Sequence, residues 1–145
     1  MGEFALAVAD QAMSFCFKSG WDESVEGPGP VKHRWSIDNT ALIVVPTPIA
    51  MAPITITLSA IPYVVPGQVD AQSLWVFANG AAAAFGRLSN PGPVVGQIPE
   101  SVLNPRPSEL TLSFVVPEAA TPARLGEGQD QRLLGVALQS LVLTW

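Results

Sequence analysis

The chain has one cysteine, one histidine and one tyrosine among 145 residues, and only 13% of its residues are charged. A lone Cys16 excludes an intramolecular disulfide and a cysteine-based zinc site. A lone His33 restricts nucleophilic catalysis, because any Ser-His-Asp or Cys-His arrangement must pass through it. No glycine-flanked serine elbow accompanies it. Gly126 and Gly128 lack the third glycine and the following helix that a phosphate cradle needs. Seven Lys and Arg against twelve Asp and Glu leave a net charge of -5. That balance disfavours nucleic acid, whose affinity comes chiefly from cations neutralising phosphates. It equally disfavours a polybasic membrane-surface role.

Ten-residue amphipathic helical patterns are also missing, which argues against a βαβ arrangement. Asn39 to Val69 carries no charge and has the length of a membrane span. Pro46, Pro48, Pro53, Pro62 and Pro66 interrupt it, each removing a helical hydrogen bond. Ile54, Ile56 and Leu58 alternate with Thr55, Thr57 and Ser59, a period of two. The stretch reads as two strands, so no membrane insertion is expected. No basic segment precedes an apolar core at the N-terminus, so no signal peptide is expected, and bacterial cytoplasm and cell envelope both stay open. Met1-Gly2-Glu3-Phe4 is compatible with a cloning scar on a domain excised from a longer parent.

What is present is 48% hydrophobic residues punctuated by 14 Pro and 12 Gly, the composition of one globular domain. Apolar runs fall at Phe4–Val8, Met13–Lys18, Arg34–Ile37, Ala41–Val45, Ile54–Ile61, Ser73–Ala78, Ala83–Leu88, Val94–Ile98 and Leu110–Val116. Arg132–Trp145 reads as one bulged strand or two, with the offset at Gln139-Ser140. Asn79-Gly80 is the strongest hairpin signal, since type I′ turns need positive φ. The Val102 to Ser108 neighbourhood reads as proline-rich loop. Short strands separated by turns at this spacing predict an all-β, antiparallel two-sheet β-sandwich, jelly-roll-like.

The loop from Gly20 to Ser36 gathers two tryptophans and three carboxylates in a segment rich in turn formers. Loops on a rigid scaffold are where binding groups sit. Asp22, Glu23 and Glu26, with Glu127 and Asp130, have the residue type of paired glycosidase carboxylates, but no acid lies inside a strand to support them. Asp22, Glu23 and Glu26 also form a weak calcium set of low pattern specificity. Sugars stack an apolar face on tryptophan while their hydroxyls take polar partners, and Trp21, Glu26, Arg34 and Trp35 fit that need. Either tryptophan equally suits a core lid. Trp75 lies on a strand apolar on both faces, so it is buried between layers or sits on an exposed interface patch.

Gly20-Trp21, Glu26 and Arg34-Trp35-Ser36, then Val76-x-Ala78-Asn79-Gly80, Thr121-Pro122 and Asp130-Gln131-Arg132-Leu133-Leu134-Gly135, resemble a β-sandwich accessory domain of bacterial polysaccharide and glycosyltransferase-associated proteins. Gly27 to Lys32 is an insertion relative to that pattern. The resemblance implies a jelly-roll-like, non-catalytic domain that binds carbohydrate, with no cofactor. The candidate ligand-binding residues are then Trp21, Glu26, Arg34, Trp35, Asp130 and Arg132, with Asp130 and Arg132 also suited to a structural ion pair. The alternatives are a structural or oligomerisation module packing on a partner domain or a second copy, and a small hydrolase.

Overall fold

Asn79 and Gly80 are the apex around which the chain is wound. In a computed structural model describing residues 2–50 and 53–145, nine strands form: β1 (Glu3–Ala7), β2 (Arg34–Trp35), β3 (Thr40–Pro46), β4 (Ile54–Pro62), β5 (Gln72–Ala78), β6 (Ala81–Leu88), β7 (Gly92–Ile98), β8 (Glu109–Val115) and β9 (Val136–Thr144). Asn79 (φ 47°) and Gly80 (φ 86°) supply the positive φ angles of a two-residue hairpin turn between β5 and β6. Outward from that turn the antiparallel pairs nest: β5 with β6, β4 with β7, β3 with β8, β1 with β9. The long hairpin is rolled so that β1-β9-β4-β7 form one sheet and β3-β8-β5-β6 the other. This is the jelly-roll sandwich the strand spacing predicts.

Period-two patterning builds the core. Ile54, Ile56 and Leu58 of β4 and Leu110, Leu112 and Phe114 of β8 enter one core cluster from the two sheets, and all six are fully buried. Each such side chain contributes about 1.5–3 kcal/mol through the water it sheds. Thr55, Thr57 and Ser59 alternate to the outside. Among the described residues no helix is long and apolar enough to cross a membrane. Met51 and Ala52, inside the uncharged stretch, and Met1 of the suspected scar lie outside the described residues. Glu3 and Phe4 belong to β1 and pair with Thr144 and Leu143.

Two bulges set the positions that matter below. In β9, Ser140 lies opposite Ser59 and Leu138 opposite Ala60, so Gln139 is the extra residue, where the sequence placed the offset. On the far edge of β9, β1 pairs with residues 140–144 and β2 with Ala137 and Leu138. In β6, Ala84 pairs with Val76 and Ala82 with Phe77, leaving Ala83 extra. Ala83 and Ala84 both turn inward against Gly96 of β7, where an added Cβ would be driven into the Ala83 carbonyl oxygen and come 2.7 Å from the Ala84 Cβ.

Two expectations are corrected. Met13–Lys18 is not a strand: Gln11–Cys16 forms a 3-10 helix, whose start is capped by Asp10 Oδ1 accepting from the Ala12 N–H at 3.0 Å. Phe15 is thereby exposed while Cys16 is buried. The Val102 neighbourhood is not all loop, since Glu100–Leu103 makes one α-helical turn (α1) after Pro99, with Val102 and Leu103 packed on the core.

Candidate functional site

The Gly20–Ser36 loop is anchored at both ends by its backbone. Gly20 (φ 87°) makes the turn, and a Cβ there would lie 2.6 Å from the Ala41 Cα, so only glycine fits. Ser36 is fully buried, and its Oγ accepts from the Val136 N–H at 3.0 Å. Gly135 leaves room for it, since a Cβ there would stand 2.9 Å from that Oγ and 2.7 Å from Val116 Cγ2. The two segments that carried the resemblance therefore meet in space.

Trp21 is core, which overturns its reading as a stacking platform. It is 6% exposed and packs edge-on to Phe17 and Phe114, both at 5.3 Å between ring centroids. Its Nε1–H donates to the Leu42 carbonyl at 2.9 Å, the partner that a buried indole requires. Arg34 is likewise engaged within the fold. Its guanidinium donates to the Asp22 carbonyl at 3.1 Å and lies 4.5 Å from the Phe17 ring centroid. Burial lowers the Arg34 pKa, against the pull of Asp22.

Glu26, Asp130 and Arg132 do come together, but on one another. Arg132 donates to Asp22 Oδ2 at 2.6 Å, to Glu26 Oε2 at 2.9 Å and to Asp130 Oδ2 at 2.7 Å. Its Nε–H reaches both Asp130 oxygens, and its backbone N–H donates to Asp130 Oδ1 at 2.9 Å. The hydrogen bonds from Arg132 hold the Asp130 carboxyl below the usual carboxylate range, and those carboxylates, Asp130 first, push the guanidinium pKa up. This arrangement ties the loop to the segment leading into β9 across more than a hundred residues. Trp35 is half-buried, edge-on to His33 at 5.7 Å and to Tyr63 at 6.3 Å. The Tyr63 hydroxyl is enclosed with no protein partner among the described residues. Burial, then Glu127 and Asp130, raise its pKa.

The calcium set does not assemble. Asp22 and Glu26 point at Arg132, while Glu23 is exposed. No group of three His, Cys, Asp or Glu side chains among the described residues is arranged to hold a metal. Cys16 is fully buried, and burial pushes its thiol pKa up, the opposite of what an active thiolate needs. Asp130, held ionised by Arg132, is a poor general acid.

The exposed aromatic surface lies elsewhere, on the outer face of the β3-β8-β5-β6 sheet. Trp75 is 40% and Phe85 48% exposed. They sit directly opposite each other on β5 and β6, with ring centroids 4.3 Å apart, and Phe77 lies alongside Trp75 at 6.4 Å with its ring nearly parallel. Two residues along on the same face, Ser73 stands opposite Arg87. Arg87 donates to Ser73 Oγ at 2.8 Å and to Glu118 Oε1 at 3.2 Å, and Glu118 Oε1 also accepts from the Ser73 N–H at 2.6 Å. Of Trp75's two alternatives, the structure selects the exposed patch. Phe77, Phe85, Ser73, Arg87 and Glu118 were not among the sequence candidates. The usable signal was the Asn79-Gly80 hairpin, which pairs β5 with β6, but the Ala83 bulge shifts the register by one. No protein-family model matches the chain, and no curated protein matches it.

Proposed function

We propose that this chain is a non-catalytic carbohydrate-binding accessory module of the kind that serves bacterial surface-polysaccharide proteins, and that it meets its sugar on the Trp75 shelf. One observation carries the reading: two opposed exposed rings, Trp75 and Phe85, end against an ordered Ser73–Arg87–Glu118 hydrogen-bond group. A pyranose needs both parts, an apolar ring for its C–H face and a charged hydrogen-bonding pair for its hydroxyls. The resemblance to polysaccharide-associated sandwich domains points the same way. The Gly20–Trp35 loop then supports the scaffold, with Arg132 as its clasp.

The competing reading, a module that packs on a partner domain or a second copy, draws on the same exposed rings. Their area argues against it. At their observed exposure Trp75 and Phe85 offer roughly 200 Å² out of the ~150–250 Å² that each aromatic ring buries when covered. A stable protein interface takes about 800 Å² from each partner. Beyond Trp75, β8 presents Val115 directly opposite it and Ser113 opposite Phe77, so the face turns polar one pair along. The test is a glycan-binding screen on the wild type and on Trp75→Ala. Binding that survives unchanged in Trp75→Ala removes the shelf assignment, and dimerisation in sedimentation that Trp75→Ala abolishes favours the competing reading.

A further inference from the structure

Resting on the carbohydrate reading of this shelf, we infer that its ligand is an uncharged saccharide whose neighbouring hydroxyls bridge Arg87 and Glu118 while its C–H face covers Trp75 and Phe85. The polar rim is charge-balanced within itself: one guanidinium and one carboxylate, paired at 3.2 Å. Its unused hydrogen-bonding capacity is mixed in sign. Arg87 commits NH1 to Ser73 and Glu118, so its Nε–H and NH2 groups take no partner among the described residues. Glu118 commits Oε1 to Arg87 and to the Ser73 backbone, so Oε2 is free in the same sense. Donors and an acceptor side by side match a vicinal diol, in which each hydroxyl both donates and accepts.

A polyanionic sugar finds the wrong surroundings here. A uronate carboxylate competes with Glu118 for Arg87, and the only other charged residue projecting outward from the strands of this sheet is Glu109, also acidic. The net charge of -5 opposes its approach as well. A polycationic amino sugar brings its ammonium groups against Arg87, and the one carboxylate beside it, Glu118, already spends its charge on that guanidinium. The rim's fixed geometry favours a ligand that brings hydroxyls and no charge.

The experiment titrates the intact chain with hexasaccharides of neutral glucan, galactan, mannan and xylan, and with hexamers of galacturonate and of glucosamine, by calorimetry. The expected result is binding to at least one neutral hexamer with no measurable binding of the charged ones. Trp75→Ala should weaken that binding by about twofold to tenfold, given the contribution of one aromatic contact. Glu118→Gln, which keeps an acceptor for the Ser73 N–H but removes the charge and the ion pair to Arg87, should weaken binding of the neutral ligand and admit galacturonate. Binding of a charged hexamer alone, lost in Trp75→Ala, overturns the neutral-ligand inference and leaves the carbohydrate reading standing. No binding of any hexamer overturns both.

Discussion

The Gly20–Trp35 loop and the Trp75 shelf contain the same kinds of residue, tryptophan with arginine and carboxylates, and they use them in opposite ways. In the loop Trp21, Arg34, Asp22 and Glu26 are spent on the fold itself, while Glu23 and Val25 face water. Trp21 is buried edge-on among aromatics with its N–H bonded, Arg34 lies over Phe17, and three carboxylates close on Arg132. On the shelf the rings face water, and the arginine–carboxylate pair keeps hydrogen-bonding capacity in reserve. Residue type selects candidates, but whether partners are already supplied by the fold separates a clasp from a binding surface.

The sharpest way to break this contrast is to remove the two tryptophans in turn. Trp21→Ala leaves a large hole beside Phe17 and Phe114, while the Leu42 carbonyl keeps the Lys18 N–H as its donor at 2.9 Å. It should cost about 3–5 kcal/mol of stability, the range for large aromatic truncations in a core, read as a lower midpoint in urea. A loss below about 1 kcal/mol would mean that Trp21 is not the core residue its 6% exposure indicates.

Gly96→Ala tests the shelf from beneath. Its Cβ would be driven into the Ala83 carbonyl, so the β6 bulge must move, at a cost of about 1–3 kcal/mol or more for overpacking. Because that bulge sets Phe85 opposite Trp75, saccharide binding should weaken although residue 96 touches no ligand. Unchanged binding in a folded Gly96→Ala protein would show that the bulge does not hold the shelf in register.

The bulge also explains what was legible in the sequence. Alternation over Ile54–Leu58 and Leu110–Phe114 marked buried faces correctly because period two follows from the strand itself. The Asn79-Gly80 turn was legible because its φ angles restrict the residue types. From that turn alone, unbulged pairing sets Trp75 against Ala84 and turns Phe85 to the other face. One inserted residue reverses the outcome, and what permits it is Gly96 on a strand of the opposite sheet. The Arg132 clasp was half legible: Asp130 and Arg132 are two residues apart, whereas Asp22 and Glu26 join them only through the roll. Phe15 escaped because the Asp10 cap replaced a strand by a 3-10 turn.

Arg132→Met should act on the loop without touching the shelf. Its carboxylate partners are between 21% and 38% exposed, so screening reduces the cost to about 1–2 kcal/mol. The pH dependence is a second signature. Asp130 is held below the ordinary carboxylate value when folded, so its contribution is fully present above that value and is lost as pH falls through the lowered one. Acid unfolding should therefore be shallower between about pH 5 and 2 in Arg132→Met than in the wild type. An identical acid profile would show that the clasp carries no linked stability.

The smallest effect is expected where binding is expected to suffer most. Trp75→Ala removes a ring that is 40% exposed and touches chiefly Phe85 and Phe77. Cross-strand pairs of this kind contribute about 0.2–1 kcal/mol, so stability should fall by less than about 1 kcal/mol. Acrylamide quenching supplies an independent check. Trp75 is the most exposed of the four tryptophans, with Trp35 and Trp145 half-buried and Trp21 enclosed, so its removal should take away most of the readily quenched emission. A saturating neutral saccharide should protect that same emission in the wild type. If Trp75→Ala instead destabilises the domain as much as Trp21→Ala does, the two regions are not the opposites described above, and the Trp75 rings are holding the sandwich together.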